Sequence, residues 1–325
     1  MRAAAPRGRL PLHPRPFPRE ALSSWVGRLA TAYDMEADAF LREAFGTDPA
    51  PDSRELDTCA GPPGLVAALA ERTGVSRRRI RAMTLAAVTP KLTEVPAPAG
   101  RPSCFTARAD DDKNRPEPSG SGVPWQTGDL LGGMPRCCPG CLVLDPVPYV
   151  RLHWRGAWMA SCPQHKEALV PVIADPWRSR RLIPWAQQRA APNVVGLDRI
   201  TLGAVTGGTA NLPGRGGPVL GDAWLRALRV LLSELTCPRL WFEPETRAGV
   251  GAAWRRAGWT FGVRELCQTD AFELLLPDLR SILLEVAGAE VQHRASRRAP
   301  GGKATMLRST VMQWSVDQRC GAEMA

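Results

Sequence analysis

The clearest early signal in the chain is a stripe of apolar residues. Leu22, Trp25, Leu29 and Tyr33 recur at spacings of three and four with Arg28 on the other side, which predicts an amphipathic helix opened by Pro18 and Glu20. Between 64 and 85, Leu69 and Ala70 precede Gly74, and Val75, Ile80 and Met83 follow it, so two short helices are predicted about a glycine free to take positive φ. Ser76 is a good N-cap for the second of them. This pattern fits a helix-turn-helix whose second helix presents Arg77, Arg78, Arg79 and Arg81 to phosphates, and it fits equally an αα-hairpin with a solvated arginine face. Farther on, Val150, Leu152 and Trp154 alternate with Arg151, His153 and Arg155 before Gly156, which predicts a β-hairpin. Trp224, Leu225, Leu228, Leu231, Leu232 and Leu235 then form the wide apolar face of a helix with Asp222 as candidate N-cap, ending before Pro238. A second helical region is predicted from about 269 to 291, interrupted at Pro277.

Polar and proline-rich stretches divide these elements. Residues 95–129, rich in Pro, Gly, Ser and Asp, read as a linker or surface insertion, with Cys104 a bystander. The resulting organisation is a helical N-terminal region over 1–94, the linker, a compact cysteine-bearing module over 130–178, and a helical C-terminal domain over 179–325 that ends in the basic stretch HRASRRAPGGKATMLRS. At 325 residues, with 44% hydrophobic and 23% charged positions, the chain can bury a sizeable core in more than one compact unit. Prolines break the basic N-terminus before an apolar segment can form, and AFELLLPDLRSILLEVAGA is cut by charges and a proline, so neither a secretory signal nor a membrane span is expected and the protein is read as cytoplasmic. The formal net charge of +10 favours a polyanionic partner, nucleic acid above all. Almost all of it is arginine, since Lys91, Lys113, Lys166 and Lys303 are the only lysines, and a GC-rich genome is an alternative source of that bias.

Cysteine placement carries the chemistry. Cys138-Pro-Gly-Cys141 and Cys162-Pro-Gln-His165 give C-x2-C and C-x2-H twenty residues apart, and two residues between ligands let the chain turn so that both side chains reach one ion. Three thiolates and an imidazole suit one structural Zn²⁺ in a zinc ribbon; reduced cysteines in a core are the competing reading, and nine cysteines without an export signal do not suggest a disulfide framework. Cys138 is preferred to Cys137 because it shares the C-P-x-C/H form of the second pair, and His153 is read as a surface or packing residue. His165-Lys-Glu167 spells the H-x-E of zinc deaminases, but it follows the CPGC pair, and four protein ligands leave no place for water. With no nucleotide-binding loop, no other catalytic motif and four histidines in all, the chain is not expected to be an enzyme or to take a small-molecule substrate. The fold class expected is mostly α with an embedded small β zinc ribbon, a helix-turn-helix-like N-terminal element and a helical C-terminal region.

Three segments in this order resemble the TniQ family of transposition proteins. LPLHPRPFPREALSSWVGRLATAY is similar to the family's proline-flanked N-terminal signature, on which Glu20, Ser24, Trp25 and Arg28 fall. RCCPGCLVLDPVPYVRLHWRGAWMASCPQHKEAL resembles its zinc motif, which implies Cys138, Cys141, Cys162 and His165 as zinc ligands, and LAERTGVSRRRIRAMTL lies where the family carries a small helical or helix-turn-helix element. The resemblance implies a non-enzymatic accessory protein of mobile elements. It would link target recognition, either DNA bound directly or an RNA-guided CRISPR effector, to an AAA+ ATPase regulator that recruits a DDE transposase. A solitary zinc-ribbon and helix-turn-helix transcription regulator is the alternative. Residues 179–325 match none of the family's patterns.

Overall fold

A computed structural model describes residues 8–87, 136–171, 188–214, 217–236, 244–259, 272 and 277–296. The predicted linker over 95–129 and the basic stretch beyond 296 lie outside them. The chain divides into two compact units, one holding the described residues up to 189 and the other those from 190 onward.

In the first unit the predicted stripe forms helix α1 (Leu22–Ala32), and Leu22, Trp25, Val26 and Leu29 are fully buried. Helices α2 (Ala37–Phe45) and α3 (Ser53–Cys59) pack on it; Gly46 ends α2, and the Asp52 side chain caps α3 by accepting from Glu55 N. The turn predicted about Gly74 follows. Helix α4 (Leu65–Thr73) stops at Gly74, whose φ of +71° is costly for any other residue, and α5 (Arg77–Arg81) begins after Ser76, whose hydroxyl accepts from Arg79 N. Helix α5 is one turn long and buries only Ile80, so its arginines all remain outside.

The N-terminus of α1 has no side-chain cap of its own residue. Its first amides are satisfied from three distant segments: Ala21 N donates to Val150 O at 2.9 Å and Leu22 N to Met83 O at 3.0 Å, while Ser23 N reaches Asp57 Oδ1 at 2.8 Å.

The cysteine-bearing segment belongs to this same unit. Strand β1 (Arg136–Cys137) leads into the short helix α6 (Pro139–Leu144); β2 (Ser161–Cys162) pairs antiparallel with β3 (Glu167–Ala168), and β4 (Val170–Pro171) returns to pair with β1. The hairpin expected around 150–155 is absent there. Residues Leu152–Arg155 instead form a 3₁₀ turn, because the alternation needs a solvent face and none exists: His153 and Arg155 are 5% and 3% exposed. The Arg155 guanidinium lies 2.7 Å from Asp57, an ion pair buried on both sides that ties the segment to α3. Val150 N donates to Ser24 Oγ at 3.0 Å and Leu152 N to Arg19 O at 2.8 Å, so the segment is bonded along the start of α1.

The second unit contains α7 (Pro192–Gly207), a hairpin of β5 (Thr209–Ala210) and β6 (Val219–Leu220), α8 (Gly221–Thr236), α9 (Pro244–Arg256) and α10 (Pro277–Ser296). The predicted leucine face of α8 is buried, and Trp224 Nε1 donates to Thr201 Oγ1 of α7 at 3.1 Å. One detail differs from expectation: Asp222 lies inside the first turn of α8, where it holds Arg226. Pro277 opens α10, since a residue without an N–H suits a helix start, and of the predicted stretch before it only residue 272 is among the described residues. No helix among the described residues is long and apolar enough to cross a membrane.

Candidate metal centre

Two turns build the site. Cys138 stands at the N-cap of α6 with Pro139 next to it, and the tight first turn brings Cys141 N to 3.4 Å from Cys138 Sγ. Cys162 ends β2, and the chain reverses through Pro163, Gln164 and His165 so that Lys166 N bonds Cys162 O at 2.7 Å before β3 begins. Lys166 takes a positive φ of 59° to close this reversal.

The ligand atoms of Cys138, Cys141, Cys162 and His165 all lie within 4.8 Å of one another. His165 Nδ1 is 3.3, 3.2 and 3.8 Å from the sulfurs of Cys138, Cys141 and Cys162, and the sulfurs of Cys141 and Cys162 are 3.7 Å apart. A tetrahedral zinc with ordinary bond lengths requires about 3.8 Å between sulfurs and about 3.6 Å from sulfur to nitrogen. The observed spacing fits that ion and is far beyond the roughly 2.05 Å of a disulfide. The three cysteines are buried and His165 is half-buried, so the donor set is closed on the protein side. Hydrogen bonds from Cys138 and Cys141 hold the Cys162 thiol well below its ordinary range, so a thiolate is stabilised at the centre of the cluster.

Neighbouring residues are excluded by position. Cys137 is buried beside the site but outside the cluster, and burial pushes its thiol up to about 12. His153 is likewise outside it; burial, helped by Arg151 and Arg19, pulls its imidazole down to about 3, so it packs as a neutral ring.

Glu167 belongs to the site, although its sequence position suggests only the last letter of an enzyme-like H-x-E. Its Oε2 accepts from Gly140 N at 2.8 Å and lies 3.5 Å from Cys138 Sγ, pinning the first turn to the second. The signal that could have found it is its place two residues after His165, opposite Cys162 in the β2–β3 pair. Gly140 is fixed by the same contact: a Cβ there would stand 2.9 Å from Glu167 Oε2 and 3.0 Å from His165 Cγ. Gly140→Ala is therefore expected to weaken metal retention by roughly 10- to 100-fold, the usual effect of disturbing groups that orient ligands. Competition against a chromophoric chelator measures it, and unchanged retention would show that the turn has room to shift.

The N-terminal signature residues lie in the interior. Glu20 is fully buried and accepts from Arg28 Nε at 2.8 Å, Arg28 Nη2 at 2.7 Å, Ser24 Oγ at 3.1 Å and Phe17 N at 2.8 Å. Trp25 Nε1 donates to Pro14 O at 2.8 Å, and the Arg28 guanidinium sits 4.1 Å from the centroid of Phe17, which stacks on Tyr149. These four residues knit the proline-rich start, α1 and the metal-bearing segment together. Arg77, Arg78, Arg79 and Arg81 are exposed on α5, and Arg79 Nη2 donates to Phe17 O at 2.7 Å.

The fold and site define a helical protein with an embedded Cys3His module capable of holding a metal ion. Residues 11–169, just under half of the chain, match the model of the TniQ family, which supports assigning that segment to the family. The match supports a transposition-associated accessory role for that segment. No curated protein and no solved structure matches the chain significantly.

Proposed function

We propose that the chain is a non-enzymatic adaptor in transposition target selection, coupling recognition of target DNA to an AAA+ ATPase regulator and, through it, to a DDE transposase. The observation that carries the reading is the TniQ match over 11–169, which takes in both the buried signature at Glu20 and the four-ligand cluster. Cys138, Cys141, Cys162 and His165 would hold one Zn²⁺, which supplies folding free energy and no reaction chemistry, as a closed four-donor site does. The N-terminal helical region over 1–94 and the zinc module over 130–178 act as the docking body, and the helical region over 179–325 serves target or partner recognition. Arg77, Arg78 and Arg81 contact nucleic acid, while Arg79 contributes by holding the Phe17 carbonyl.

The test is a reconstituted insertion assay with a mini-transposon, its transposase and its ATPase regulator, with and without this chain. Targeted insertion is expected only when the chain is present. Insertion at the same sites and frequency without it would overturn the adaptor reading, and tight operator binding without any ATPase would favour a solitary regulator in its place.

A further inference from the structure

We infer that the N-terminal strap, residues 8–19, and the arginine-bearing helix α5 form one phosphate-binding face that grips a nucleic-acid backbone. The inference rests on reading the α5 arginines as contact residues, and it adds a second element to them. The strap contains Arg9, Arg15 and Arg19 and no acidic residue, while α4 and α5 together contain one acid, Glu71.

Hydrogen bonds lay the strap beside the α4–α5 turn. Leu10 N donates to Arg72 O at 2.8 Å, Arg28 Nη2 to Arg15 O at 2.9 Å, and Arg79 Nη2 to Phe17 O at 2.7 Å. At the other end the Arg9 guanidinium comes within 3.4 Å of where a side chain on Gly74 would begin, three residues before Arg77. Arg9 and Arg15 are thus fixed along the same turn that carries α5.

Among the described residues these cations contrast with arginines of the same unit that are paired. Arg28, Arg42, Arg151 and Arg155 each hold a carboxylate. The side chains of Arg9, Arg15, Arg77, Arg78 and Arg81 are exposed and bind nothing among the described residues. Five uncompensated guanidinium groups on a strap and a turn already held in place match the repeating charges of a phosphodiester chain. The strap is anchored through its backbone, at the carbonyls of Pro14, Arg15 and Phe17, so the side chains of Arg9 and Arg15 are left free for an outside anion.

The test uses the full zinc-loaded chain and a fluorescent 30-base-pair DNA duplex, titrated by anisotropy from 50 to 200 mM salt, with a matching RNA duplex in parallel. Arg9→Ala/Arg15→Ala and Arg77→Ala/Arg78→Ala are each expected to weaken binding roughly 10- to 100-fold and to flatten the log–log salt slope by about 2, near 0.9 for each phosphate no longer neutralised. Melting should not change in either pair, since none of the four side chains holds the fold together. Tighter binding of the RNA with the same reductions would support the face and name RNA as the source of the phosphates. Weakening by the α5 pair alone would overturn the strap's part and leave α5 as the phosphate-binding element. Wild-type binding and slope in both pairs, or no binding to either duplex, would overturn both and leave the face to an acidic protein.

Discussion

Cys141→Ser is expected to release the metal and unfold the module. Its sulfur is 3.7 Å from Cys162 Sγ and 3.2 Å from His165 Nδ1, so it joins the two turns across the centre of the site. Serine leaves three donors and an oxygen that ligates zinc poorly. Structural zinc supplies on the order of 10 to 16 kcal/mol of apparent binding free energy, and with the proposed zinc in this cluster that would be folding free energy. The segment's regular structure is slight, four strands of two residues each and a helix of six. Damage should spread, because Val150 bonds to α1 and Arg155 is buried against Asp57. Zinc content by atomic emission and melting by circular dichroism decide the matter; one zinc per chain together with wild-type melting would refute the structural role.

The second large effect is expected from Glu20→Ala. The substitution removes the acceptor of four hydrogen bonds and strands the Arg28 guanidinium, 7% exposed, in the interior. Breaking a buried pair from one side typically costs about 3 to 5 kcal/mol, because the surviving charge is left without compensation. Asp38→Ala is the control: Asp38 and Arg42 form an ion pair on the surface of α2, at side-chain exposures of 58% and 46%, and its removal should not register. Urea denaturation compares the two variants. A Glu20→Ala midpoint equal to wild type would mean that water reaches Arg28 and that the signature is not structural.

How far the sequence can be read depends on how local each cause is. The α1 stripe, the Gly74 turn with its Ser76 cap, the leucine face of α8 and the four clustered donors are all set by side chains a few residues apart. The 3₁₀ turn at Leu152–Arg155 depends on Asp57, almost a hundred residues earlier, and alternation alone gives no hint that both faces are covered. Glu167 is visible beside His165, but its use depends on an amide from the other turn. Pro277 is legible as punctuation, and only packing decides that it begins a helix. The family resemblance locates the signature residues, while their burial comes from contacts that no spacing rule encodes.

The way α1 is capped bears on how the protein can be made. Its first amides find their acceptors at Asp57, Met83 and Val150, so the helix nearest the start of the chain is completed by residues that leave the ribosome much later. Ser24 and Val150 are 126 positions apart, which at ordinary elongation speeds is a wait of about 6 to 25 s. During that interval the Leu22 and Trp25 stripe can already pack against Phe40, Leu41, Leu69 and Met83, while Ala21 N and Ser24 Oγ wait for Val150. The last acceptor of the α1 N-terminus thus emerges only shortly before Cys162 and His165, so completion of the first helix and assembly of the four-donor cluster fall late and close together in synthesis.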